Sequence, residues 1–99
     1  MNRSRSKRGT GPVDKVIGRN LRDLRIARGM SQTALGDRLG LTFQQIQKYE
    51  KGANRIAAST LYDMTRILEV TFGEFFKENE QDEALDDDAD VVPQKVKAA

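Results

Sequence analysis

Hydrophobic residues recur at helical spacing through the middle of the chain and thin out toward both ends. Val13, Ile17, Leu21 and Leu24 follow one another at three- and four-residue steps, which predicts an amphipathic helix over about residues 13–28, ended by Gly29. Asp14 near its start and Arg25 and Arg28 near its end suit the helix dipole. Met30 then turns into the core, and Ser31 offers a hydroxyl N-cap to a short helix, Gln32 to Leu39. A second short helix, Phe43 to Glu50, follows a turn that Gly40 opens in a left-handed conformation and Thr42 closes, with Gln45 at capping-box distance. Leu35, Leu39, Leu41, Ile46 and Tyr49 are expected to meet inside this bend, with Gly36 small because the second helix passes close to it. Beyond Gly52, Ile56 re-enters the core. A helix over about 58–68 points Leu61, Met64 and Leu68 inward, with Tyr62 and Ile67 on its flanks. Thr71 and Glu74 form a second capping-box pattern that starts a last short helix carrying Phe72, Phe75 and Phe76.

The outward face of the helix 43–50 holds Phe43, Gln44, Gln47 and Lys48. Long amide and ammonium side chains at helical spacing suit the donors and acceptors on base edges in a DNA major groove. A plain helical hairpin in a small bundle is the simpler reading, but it gives no reason to expose two glutamines and a lysine beside an apolar corner. Gly18 costs its helix about 1 kcal/mol relative to alanine, which points to close approach of another backbone or of DNA.

Taken together, Gln32, Gly36, Gly40, Leu41, Ile46, Glu50 and Gly52 resemble the helix-turn-helix of lambda-repressor-like DNA-binding domains, the phage repressor and Cro family. The resemblance extends over about residues 13–77, and the block TFQQIQKYEKGANRI is similar to small bacterial regulators of that family. It implies an all-α, five-helix domain that binds double-stranded DNA with sequence preference and regulates transcription, as a repressor. It also implies an ion pair between Arg25 and Glu50, and a Gln32 that holds a phosphate while bracing a glutamine of the recognition helix. Gln44 and Lys48 are the leading base contacts, with Phe43 against a thymine methyl and Gln47 beside them. Thr42, Gln32, Asn54 and Arg55 are the phosphate candidates. One recognition helix reads too few base pairs to select a genomic site, so a homodimer on half-sites about 34 Å apart, or a multiple of that, is expected. The exposed part of Phe72, Phe75 and Phe76 is the candidate contact between copies. Glu69 departs from the family pattern, which usually has glycine before the next valine, so the left-handed cap there is either strained or replaced.

Ninety-nine residues allow one domain. The net charge of +2 hides an asymmetry: residues 1–12 carry +4 (Arg3, Arg5, Lys7, Arg8) and residues 80–99 carry −5, which leaves +3 for residues 13–79. These are read as a basic disordered arm (1–12), the helix-turn-helix domain (13–79) and an acidic disordered tail (80–99). The arm tracks phosphates or a minor groove, or is only a solubilising leader. Opposite charge is expected to draw the tail toward the DNA-binding surface, from which DNA displaces it.

There is no cysteine and no histidine, so disulfides and thiolate chemistry are absent, as are the commonest general base and metal ligand. With no convergent nucleophile, base or metal cluster, no enzyme, cofactor or small-molecule ligand is expected. Asp86, Asp87, Asp88 and Asp90 lack the glycine and closing glutamate of an EF-hand, so no metal is assigned to them. No apolar run is long enough to span a bilayer and no secretory signal is present, which predicts a cytoplasmic protein of a bacterial cytosol or nucleoid, or one encoded by a phage. The alternative to a transcriptional regulator is an antitoxin-type interaction protein whose tail, through VVPQKV, binds a partner protein.

Overall fold

The computed structural model describes residues 9–78. The described chain forms four α-helices, α1 (Pro12–Ala27), α2 (Gln32–Leu39), α3 (Phe43–Glu50) and α4 (Ala58–Leu68), and a 3₁₀ helix over Phe72–Phe76. Most of the arm, the acidic tail and VVPQKV lie outside the described residues.

Proline opens α1 because its fixed φ suits a helix and its missing N–H is not needed there. The helix therefore begins inside the stretch assigned to the arm. Gly11 is its N-cap, and the Gly11 amide donates to Asp14 Oδ2 at 2.8 Å. Gly29, with φ of 71°, turns the chain out of α1. Ser31 Oγ accepts from the Ala34 amide at 2.9 Å and Thr42 Oγ1 from the Gln45 amide at 3.1 Å, so both expected N-caps form. Gly40, at φ of 74°, supplies the left-handed turn between α2 and α3.

Leu21 of α1, Leu35 of α2, Ile46 of α3, Met64 and Leu68 of α4 and Phe75 of the 3₁₀ helix are fully buried and form one core, with Leu61 almost as deep. Every element thus contributes at least one side chain that water does not reach, and burying a side chain of this size contributes about 1.5–3 kcal/mol. Met30, Leu39, Leu41, Tyr49 and Ile56 pack around this centre, half-buried.

The expected fifth α-helix is a 3₁₀ helix instead. Thr71 makes no side-chain cap, and the first bond of the segment is the i to i+3 contact of the Glu74 amide with Thr71 O, at 3.1 Å. Two carbonyls at its far end are taken by a side chain of α1: the buried Asn20 amide donates to Phe75 O and Lys77 O, each at 2.8 Å. Both amide protons are used, and the chain is fastened to α1 before an α-helical turn can propagate. Of the three phenylalanines only Phe75 closes the core; Phe72 and Phe76 remain 44% and 47% exposed.

Glu69 settles the question raised by the missing glycine: it adopts the left-handed conformation itself, at φ 60° and ψ 49°, as the only described non-glycine residue with positive φ. A side chain in this region costs about 1–2 kcal/mol. The Glu69 carboxylate meets Arg28 at 3.3 Å, but both side chains are open to water, so that pair offsets at most about 1 kcal/mol. Glu69→Gly is therefore expected to raise stability by about 1 kcal/mol in urea unfolding, and a lower midpoint would show that the Arg28 contact outweighs the backbone strain.

Candidate nucleic-acid interface

The position of α3 is set by close backbone contact on two sides. Gly18 of α1 lies directly against the carbonyls of Tyr49 and Glu50 at the end of α3, where no side chain fits. Of the two readings of Gly18, another backbone is the one the fold realises. On the other side, the room at Gly36 is taken by the turn and not by the following helix: a Cβ there would stand 2.5 Å from Leu41 O. The Leu41 amide also donates to Gly36 O at 2.8 Å.

The end of α3 is fastened by charge as well. Arg25 Nε and Nη2 donate to Glu50 Oε2 and Oε1 at 2.6 and 2.9 Å, a bidentate pair whose side chains are only 10% and 3% exposed. Arg25 Nη1 donates to Met30 O at 2.8 Å, so one guanidinium spans the end of α1, the loop after it and the end of α3. Its hydrogen bonds to Glu50 raise the already high pKa of Arg25, and it stays charged although buried. Gln32 Nε2 donates to Glu50 Oε1 at 3.0 Å. The expectation that Gln32 braces a recognition-helix glutamine is thus corrected: it braces Glu50, whose ionised oxygen is the stronger acceptor within reach.

With its inner face fixed, α3 turns Phe43, Gln44 and Lys48 outward, all exposed, while Gln47 is half-buried. Thr42 is exposed at the start of the helix with its oxygen engaged by the Gln45 amide. On the loop after α3, the half-buried Asn54 donates its backbone N–H to Lys48 O at 3.4 Å. Arg55 is exposed and reaches back to α1, with Nε 3.2 Å from Asp14 Oδ1 and Nη2 3.1 Å from Asp14 Oδ2. The hydrogen bond from Arg55, with a smaller contribution from the Gly11 amide, holds the Asp14 carboxyl below its usual range against the opposing effect of burial. The structure therefore brings Gln44 and Lys48 onto one outer face and sets Arg55 on the loop that follows. Asp14 escaped the sequence reading, which saw only its effect on the helix dipole.

Comparison with known proteins gives the family to which this fold belongs. The helix-turn-helix family profile matches residues 21–75. An uncharacterized HTH-type transcriptional regulator of Sinorhizobium medicae is 48% identical over 73 residues, covering 74% of this chain and 52% of the relative. An uncharacterized transcriptional regulator in the ATPase CF(0) region of Rhodospirillum rubrum is 46% identical over 69 residues, covering 70% of this chain and 64% of the relative. Among solved structures, the restriction-modification controller protein C.AhdI of Aeromonas hydrophila superposes with a TM-score of 0.60 at 27% identity, covering 64% of this chain and 96% of that one. The chain belongs to the helix-turn-helix family, of the lambda-repressor-like type. It spans about half the length of the Sinorhizobium relative.

Proposed function

We propose that this chain is a transcriptional regulator that binds duplex DNA with sequence preference, inserting α3 into the major groove and acting as a repressor. The observation that carries this reading is the exposed row of Phe43, Gln44 and Lys48 on a helix whose opposite face is locked by Gly18 and the Arg25–Glu50 pair. A helix held this firmly loses little further freedom on binding. Gln44 pairs with adenine, Lys48 with guanine acceptors, and Phe43 lies against a thymine methyl, with Gln47 at the edge of the footprint. Thr42, Gln32, Asn54 and Arg55 hold phosphates and set the register. Gln32 keeps only part of its donor capacity for this role, since Glu50 already takes one of its two amide protons.

A second copy is part of the proposal. Phe72 and Phe76 are exposed, and the Phe72 ring lies 6.4 Å from that of Tyr62, itself 48% exposed, so this corner offers apolar surface for a symmetric partner.

Selection of bound sequences from a random duplex pool tests the reading. Replacing Gln44 or Lys48 by alanine is expected to cost about 1–3 kcal/mol on the selected site and to relax preference at particular base pairs. Arg55→Ala should weaken all sequences alike. An unchanged preferred sequence and affinity in Gln44→Ala would remove α3's outer face as the reading surface, and sedimentation on the labelled duplex counts the copies bound.

A further inference from the structure

The Arg55 guanidinium is engaged along one edge only. Nε and Nη2 share the Asp14 carboxylate at 3.1–3.3 Å, and Nη2 also donates to Gly9 O at 3.2 Å. These contacts occupy three of the five N–H donors of an arginine. Nη1, with the other two, has no hydrogen-bond partner among the described residues.

The two partners are unequally placed: the Arg55 side chain is 58% exposed and that of Asp14 only 10%. Asp14 is also held from behind, since Oδ2 accepts from the Gly11 amide at 2.8 Å in the first turn of α1. The carboxylate is thus the fixed member of the pair and the guanidinium the presented one. An ion pair so open to water adds little to stability. What it does supply is direction, because a long side chain that is free to rotate elsewhere is kept here in one orientation on the loop that follows α3.

We propose that Asp14 is a positioning residue for recognition of the DNA backbone, holding Arg55 so that its Nη1 edge meets a phosphate oxygen beside the groove that α3 enters. This rests on the DNA-binding reading above. Simple electrostatics predicts the opposite sign for Asp14, because removing a carboxylate near a polyanion raises affinity by itself. A second role for the same contact, in which Asp14 competes with phosphate for Arg55, also predicts a gain when the carboxylate is removed. The direction of the change therefore decides.

The test uses the full chain with Asp14→Asn, which keeps an oxygen for the Gly11 amide, and Arg55→Lys, which keeps the charge and loses the planar fork. Fluorescence anisotropy is read on the selected duplex and on an unrelated one across a salt series, with thermal unfolding to verify that each variant is folded. Asp14→Asn is expected to weaken both duplexes by a similar factor, about three- to tenfold, and to lower the slope of log affinity against log salt by about one. Added to Arg55→Lys, it should produce little further loss. Unchanged or higher affinity in Asp14→Asn, or full additivity with Arg55→Lys, overturns the inference while leaving DNA binding in place. If the unsubstituted chain binds no duplex at low salt, the DNA-binding reading fails and the inference with it. Should Asp14→Asn not fold, Asp14→Ser, which also removes the carboxylate and keeps an oxygen at this N-terminal turn, is read in its place: a loss on both duplexes supports the positioning role, and unchanged or higher affinity overturns it.

Discussion

Replacing Arg25 by alanine is expected to cost the domain about 3–5 kcal/mol, because Glu50 is then left as an unpaired charge in a site only 3% open to water. Glu50→Ala strands the guanidinium in the same way, although Arg25 keeps its bond to Met30 O. For a fold with so small a core, that is a large part of the total stability. The double variant should lose less than the two single losses combined, since neither charge remains without its partner. A double-mutant cycle in urea unfolding measures this, and additive losses would show that the two side chains do not stabilise one another despite contacts of 2.6 and 2.9 Å. Gln32 enters the same cycle as a third member through its 3.0 Å bond to Glu50 Oε1, and its removal should cost less because it carries no charge.

Gly18→Ala is the second large effect, and two terms of opposite sign meet in it. Inside a helix, alanine is favoured over glycine by about 1 kcal/mol. Here the added methyl would stand 2.8 Å from Glu50 O and 3.0 Å from Glu50 C, in addition to its collision with the Tyr49 carbonyl. All of these neighbours are backbone, which has no rotamer to change, and the segment that carries them is tied down by the Arg25–Glu50 pair. Either α1 and α3 separate or the end of α3 unwinds. Overpacking of this kind costs about 1–3 kcal/mol, and against rigid backbone the upper end applies, so after the gain of about 1 kcal/mol in helix propensity a net loss of about 1–2 kcal/mol is expected in thermal unfolding, together with weaker DNA binding as α3 shifts. Stability equal to or above that of the parent would show that the two helices move apart freely.

Much of the fold was legible because its signals are local. The bounds of α2, α3 and α4 follow from Ser31, Thr42 and Gly40 and from apolar residues three and four apart, and these act within one helical turn. Gly18 and Gly36 announced close approach, but a glycine does not say what approaches, and at Gly36 it proved to be a carbonyl of the turn. The Arg25–Glu50 pair was reached through family resemblance and not through spacing. What stayed hidden were contacts between distant residues or with main-chain carbonyls. Arg55 and Asp14 are 41 positions apart, and Asn20 works on the carbonyls of Phe75 and Lys77, groups that every sequence possesses. For the same reason the phenylalanine-rich segment read as an α-helix: its composition shows apolar residues to bury but not the Asn20 amide that ends the turn.

Asn20 has a consequence for where the chain enters and leaves the domain. Gly9 is held through its carbonyl by Arg55, which Asp14 anchors to the first turn of α1, and Lys77 is held through its carbonyl by Asn20, further along the same helix. Six residues of α-helix separate the two anchors, about 9 Å of rise. The same helix thus anchors both ends of the described chain, one through Arg55 at its first turn and the other directly through Asn20. Shortening α1 between Asp14 and Asn20, or adding residues there, would therefore displace one end of the described chain relative to the other, along and around the helix axis, as well as disturb the packing of α3.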